Sequence, residues 1–148
     1  MSPRDIRLVQ VSWQGLQPWR REVAAMFYDR LFEQDPTLRG LFRGDLDAQG
    51  RKLMAALDFV VNGLDELPQH LAAVQQLARR HVGYGVQPEH YDQVGQALLW
   101  TLAQGIGQDT RDDALQAWTL AYTTVAQAMK SAAWPDTGAN PEWQAQAA

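Results

Sequence analysis

The stretch from Val74 to Val86 reads VQQLARRHVGYGV, and His81 at its centre is the side chain best placed to do chemistry. Helical steps back from His81 fall on Leu77, Val74 and Leu71, so the imidazole ends an apolar stripe. Gly83 and Gly85 follow at once and stop the helix, which puts His81 on its last full turn and leaves Arg79 and Arg80 to solvent. Two readings fit that placement. One is a core histidine with a single satisfied hydrogen bond; the other is a lone axial ligand to a metal or a haem.

Most other site chemistries are poorly served by this chain. His70 stands ~16 Å up the same helix axis at 1.5 Å per residue, and His90 falls just past the next helix start, so the histidines do not converge as zinc ligands. Having no cysteine excludes disulfides, thiolate zinc, iron–sulfur clusters and cysteine nucleophiles. GYGV superficially resembles a phosphate loop, but no strand precedes it and no helix starts at its second glycine. No serine sits on a glycine-flanked elbow, and the carboxylates lie on polar faces as solvating charge. A single histidine facing a cavity suits a haem iron, whose four in-plane ligands come from the porphyrin. Such a group needs a flat slot of large apolar side chains with few polar groups. Tyr28, Phe42, Leu53 and Leu57 could line it, and each taken alone is equally an ordinary core residue.

These residues must be carried by helices, because three- and four-residue apolar spacing runs through the chain and no period-2 stretch appears. Ser2-Pro3-Arg4-Asp5 is a helix start with a capping box, leading Ile6, Val9, Trp13 and Leu16 up to Pro18. The next helix points Val23, Met26, Phe27, Tyr28, Leu31 and Phe32 inward and ends at Asp35-Pro36. A short turn from Pro36 to Phe42 follows. Gly44-Asp45 then caps a helix bearing Leu46, Leu53, Met54, Leu57, Val60 and Val61, stopped by Gly63. Leu67-Pro68 begins the helix of His81. Pro88-Glu89 opens one with Tyr91, Val94, Leu98, Leu99, Leu102 and Ile106. Thr110 to Asp113 reads as a second capping box before Leu115, Trp118, Ala121, Tyr122, Val125 and Met129. From residue 135 onward the aperiodic PDTGANPEWQAQAA reads as a flexible tail, leaving residues 1–134 as one domain.

Composition agrees with a packed single domain: 148 residues, 46% of them hydrophobic. A net charge of −4 argues against nucleic acid or an anionic membrane surface as the main partner. No run approaches the ~20 uninterrupted apolar residues of a spanning helix. Asp5 and Arg7 sit where a signal peptide needs its apolar core. The expectation is a cytoplasmic protein.

Five segments together give the chain a recognisable likeness: FYDRLFEQDPTLRGLF (Phe27 to Phe42), QGRKLMAALD (Gln49 to Asp58), LARRHVGYGV (Leu77 to Val86), HYDQVGQALL (His90 to Leu99) and AWTLAY (Ala117 to Tyr122). In order and spacing they resemble the single-domain bacterial globins, relatives of the haemoglobin domain of flavohaemoglobins, and are similar to vertebrate neuroglobin. The resemblance implies an all-α globin fold, a three-over-three helical sandwich around one haem b (iron protoporphyrin IX). By position, it makes His81 the iron ligand through Nε2, with Nδ1–H directed at the Leu77 carbonyl. Phe42 takes the place of the residue stacked on the porphyrin. Leu53 and Leu57 match the distal face, and Leu77, Val86, Tyr91 and Val94 complete the haem contacts. Tyr28 and Gln49 match the two polar distal positions.

Two departures from the family pattern shape the expected function. Gln49 followed by Gly50 replaces a distal histidine, so the iron is expected to be pentacoordinate, with Gln49 free to swing. The position of a proximal glutamate falls on Ala133, which leaves Tyr91 beside His81 without its usual carboxylate and the histidine less imidazolate-like. Only a short tail follows, so no reductase domain is expected. The resemblance thus implies reversible binding of O2, CO or NO by a monomer or weak homodimer, for oxygen binding, storage or transport. Nitric oxide dioxygenation served by an external reductase is the alternative, and a gas-sensing or interaction module the third.

Overall fold

The computed structural model describes residues 1–42 and 44–135, and the tail reading from residue 136 onward lies outside the described residues. Six α-helices carry the described chain, with no strand among them: α1 Pro3–Gly15, α2 Arg20–Gln34, α3 Leu46–Asn62, α4 Leu71–Gly83, α5 His90–Gly105 and α6 Arg111–Ala133. Short 3-10 segments at Gln17–Trp19, Pro36–Leu41 and Leu64–His70 make three of the connections. Local chemistry sets several boundaries. Ser2 Oγ accepts from the Asp5 amide while Asp5 accepts from the Ser2 amide, the expected capping box. Asp35 caps the 3-10 turn by accepting from the Thr37 amide, and Asp45 caps α3 by accepting from the Asp47 amide. Gly44 precedes that cap with φ +88°, a conformation costly for any residue with a Cβ.

Three expected boundaries move. Thr110 is not in the extended conformation of a capping residue and its side chain makes no cap; Arg111 instead donates twice to the Ile106 carbonyl, at 3.3 and 3.1 Å. The helix of His81 begins at Leu71 rather than at Leu67-Pro68, because Pro68 sits inside a kinked 3-10 segment. Leu71, at the first position of α4, is 44% exposed and drops out of the apolar stripe, while Val74 stays at 1%. Pro88 and Glu89 precede α5, which starts at His90, where the Gln87 amide donates to His90 Nδ1.

Packing is unequal in a way that matters for His81. α1 lies against α6, α2 against both α5 and α3, and α4 mainly against α6. α3 and α4 scarcely touch. The buried apolar side chains accordingly divide into two bodies. The larger, drawn from α1, α2, α3, α5 and the first half of α6, holds Tyr28 with Phe42, Leu53, Leu57 and Val94 packed on it. The smaller surrounds Val74, Ala78, Tyr91, Ala126 and Met129, with Leu77 and Val86 packed on it.

One polar junction ties the first three helices together. Trp13 Nε1 on α1 donates to Asp58 Oδ1 on α3 at 2.7 Å, and Arg20 at the start of α2 grips both Asp58 oxygens at 3.1 and 2.8 Å. The Arg20 guanidinium holds the Asp58 carboxyl below its ordinary range, aided by the indole N–H and opposed by burial. Because the folded-state value is depressed, this contribution is complete above the unfolded value of about 4 and is lost as pH falls through the folded value. In urea melts across acid pH, Asp58→Asn should therefore lower stability at neutral pH and flatten its decline toward acid. An unchanged acid slope in the variant would show that Asp58 does not contribute.

Candidate functional site

His81 faces the space between the two apolar bodies from the last turn of α4. Its Nδ1 lies 2.7 Å from the Leu77 carbonyl oxygen one turn back. A carbonyl can only accept, so Nδ1 carries the proton and Nε2 keeps the lone pair of the neutral ring. The turn beyond is built to hold this end of the helix. The Tyr84 and Val86 amides both donate to the His81 carbonyl, and Gly85 at φ +92° reverses the chain 3.4 Å from Leu41, measured from where a Cβ would stand. Leu77, His81 and Val86 are each only half-buried. For apolar side chains wedged between two core bodies, that leaves a face for something else to cover.

The opposite wall is aromatic and aliphatic. Tyr28 is 4% exposed and sits in a ring cluster: Phe27 edge-on at 5.0 Å, Phe42 edge-on at 5.2 Å and Phe32 stacked at 5.9 Å, with Phe32 and Phe42 also in contact. Such pairs add about 0.5–1.5 kcal/mol each beyond burial, so Tyr28 and Phe42 hold one another in place. Burial pushes the Tyr28 phenol up to about 12, and a hydrogen bond with the Gln49 side chain pulls the other way. Tyr28 therefore remains a protonated donor at any physiological pH. Leu53 and Leu57 from α3 and Val94 from α5 pack beside this cluster and are half-buried, like Phe42.

Gly50, expected to loosen the start of α3, proves to be buried at the crossing with α2, where an added Cβ would stand 3.1 Å from that of Ala24. It answers to close packing, and it brings Gln49 up against Tyr28.

The far side of His81 is where sequence reasoning missed most. Tyr122 Oη donates to the Tyr91 carbonyl at 2.6 Å, and its ring lies over Gly95, where an added Cβ would come within 2.7 Å of it. Tyr122 packs against both apolar bodies and so joins them. Tyr91 itself is 6% exposed, and burial pushes its phenol up to about 12. Its Oη has no hydrogen-bond partner among the described residues. Ala133, where a carboxylate was sought, packs with the apolar residues of this body, and the Trp134 ring stands edge-on to Tyr91 at 6.2 Å. Helical spacing could not reveal Trp134, which lies one residue beyond the end of α6.

No group of three or more His, Asp or Glu among the described residues could hold a bare metal ion. A lone imidazole with a fixed tautomer between two half-covered apolar walls instead fits a flat, apolar group that brings its own equatorial ligands.

Comparison with known proteins gives the same direction. The globin family profile matches residues 25–129. The chain is 30% identical to a flavohemoprotein of Xylella fastidiosa over 132 residues, covering 87% of this chain and 33% of that protein. It is 30% identical to a neuroglobin of Chaenocephalus aceratus over 152 residues, covering 93% and 95% respectively. The chain thus spans about a third of the flavohemoproteins it matches and nearly the whole of neuroglobin. Among solved structures, it superposes with TM-score 0.80 and 27% identity on an engineered carbene transferase built on a candidate nitric oxide dioxygenase from Rhodothermus marinus, covering 100% of this chain and 99% of that one.

The unpaired hydroxyl yields a direct test. A buried polar group without a partner costs about 1–3 kcal/mol, so Tyr91→Phe in the haem-free protein should leave the urea midpoint unchanged or raise it. A clear fall in the midpoint would mean that Oη makes a stabilising contact.

Proposed function

The chain belongs to the globin family, whose members bind haem, and on that footing we propose that it carries haem b on His81 and reversibly binds oxygen, CO or NO. The observation that supports this most is His81 itself, with Nδ1 bonded to the Leu77 carbonyl and Nε2 left to ligate. Phe42, Leu53, Leu57 and Val94 on one wall, and Leu77, Val86 and Tyr91 on the other, would hold the porphyrin faces by apolar contact. When bound, the haem supplies an iron with one coordination position open to a diatomic ligand.

The chain's own residues then set how long such a ligand stays. Tyr28, a buried phenol that stays protonated, donates to a ligand that takes up negative charge. Gln49 offers an amide N–H from the same side. Leu53 and Leu57 exclude water, which would otherwise compete for the position and draw out the charge. Gln49 binds iron poorly compared with an imidazole, so the position stays open at rest.

Nitric oxide dioxygenation with an external reductase is the second reading, favoured by the flavohemoprotein relatives and by the structural neighbour. The proximal side speaks for binding over turnover. With Ala133 and Trp134 against Tyr91, no carboxylate draws on that phenol. His81 has only a neutral carbonyl to lean on, which makes it a weaker electron donor than a carboxylate-linked histidine.

Stopped-flow oxygen release tests the proposal. The wild type should release oxygen slowly, and Tyr28→Phe should release it about ten- to a hundredfold faster, since a hydrogen bond to a charged acceptor is worth ~1.5–3 kcal/mol. Equal rates in the two proteins would remove Tyr28 from the ligand site. Supplying nitric oxide with a reductase separates the two functions: one cycle followed by arrest supports the binding protein, and sustained nitrate production supports the enzyme.

A further inference from the structure

Tyr84 is the one tyrosine of the four that solvent can reach. It is 59% exposed, whereas Tyr28 and Tyr91 are buried at 4% and 6% and Tyr122 lies between α5 and α6 with its hydroxyl bonded to the Tyr91 carbonyl. Its ring is also in contact with the site, centred 5.9 Å from the His81 imidazole and tilted by 56°. The backbone fixes that approach: the Tyr84 amide donates to the carbonyls of both Arg80 and His81, closing α4 directly beneath the imidazole. A phenol in this position shares one face with the haem ligand and the other with water. Binding of a diatomic ligand makes no use of it.

We propose that Tyr84 is an electron-donating residue that gives the haem-loaded protein a second activity, peroxide-dependent one-electron oxidation of small phenols at its surface. The inference rests on the haem reading above. Hydrogen peroxide, the named co-reactant, has its O–O bond cleaved at the haem and becomes two molecules of water by taking up two electrons and two protons. Tyr84 supplies one electron through the His81 edge, a gap of a few ångströms that electrons cross readily, and releases its hydroxyl proton directly to solvent. The buried phenols of Tyr28 and Tyr91 have no such outlet for a proton. The Tyr84 phenoxyl radical then takes an electron and a proton from a dissolved phenol and is restored. Two such cycles oxidise two phenols to phenoxyl radicals for each peroxide consumed. Without an added phenol, Tyr84 radicals of two molecules join through their ortho carbons. Each ring loses one hydrogen there and recovers its hydroxyl, so two chains and one peroxide give a dityrosine-linked dimer and two waters.

The test uses the purified, haem-reconstituted protein, with its Soret band recorded first. On addition of hydrogen peroxide, the wild type should develop dityrosine fluorescence and a covalent dimer on denaturing gels, and peptide mass spectrometry should place the link at Tyr84. Tyr84→Phe should keep the Soret band and lose both the fluorescence and the dimer. An excess of a small phenol should suppress the dimer in the wild type and be consumed faster there than by the variant. A dimer formed equally by Tyr84→Phe, or none in the haem-loaded wild type, would overturn the proposal and leave the haem reading standing. Absence of a Soret band after reconstitution would instead overturn the haem reading on which it rests.

Discussion

The bond from His81 Nδ1–H to the Leu77 carbonyl sets the terms for the rest of the site, because it decides which nitrogen can act. A histidine free to rotate at the end of a helix would sample both tautomers and several orientations. Here the acceptor is a backbone oxygen of the same helix, so the constraint is built into α4 and needs no other element. The fixed ring then has one outlet, through Nε2. Everything around it conforms to that direction: α4 is held from behind by α6, and α3 is held by α2, so a gap remains in front.

That gap is costly for an apolar chain to keep open. Phe42, Leu53, Leu57, Leu77 and Val86 are all half-buried, although each adjoins a well-packed body. At roughly 25 cal/mol per Å2 of apolar surface removed from water, a large flat apolar ligand between these walls would recover what they leave exposed. Tyr28 adds a polar exception on one wall, kept protonated by its burial. Tyr91 adds another on the far side, with an unpaired hydroxyl where a carboxylate would have engaged it. The two phenols thus mark opposite chemical tendencies, one a donor toward a ligand and the other withheld from the histidine.

Much of this was legible in the residues. Apolar spacing placed His81 at the end of a buried stripe, and the capping residues Ser2, Asp35 and Asp45 fixed three boundaries through local bonds that composition reveals. What escaped depends on contacts distant in the chain. Thr110 looked like a cap, but the conformation of its own backbone and the pull of Ile106 on Arg111 decided otherwise. Gly50 looked like a loosener and is a contact point, since only the approach of Ala24 on another helix gives it a role. The Trp134–Tyr91 and Tyr122–Tyr91 pairs join residues more than thirty positions apart, or nearly so, and no local period encodes them.

The central claim is that His81 holds a haem through Nε2, and a haem titration followed by absorption tests it most directly. The wild type should develop an intense Soret band that saturates at one haem per chain. His81→Gly should lose tight retention and recover it when free imidazole is added to stand in for the missing ring. A His81→Gly protein that binds haem as tightly as the wild type, with no response to imidazole, would contradict the account.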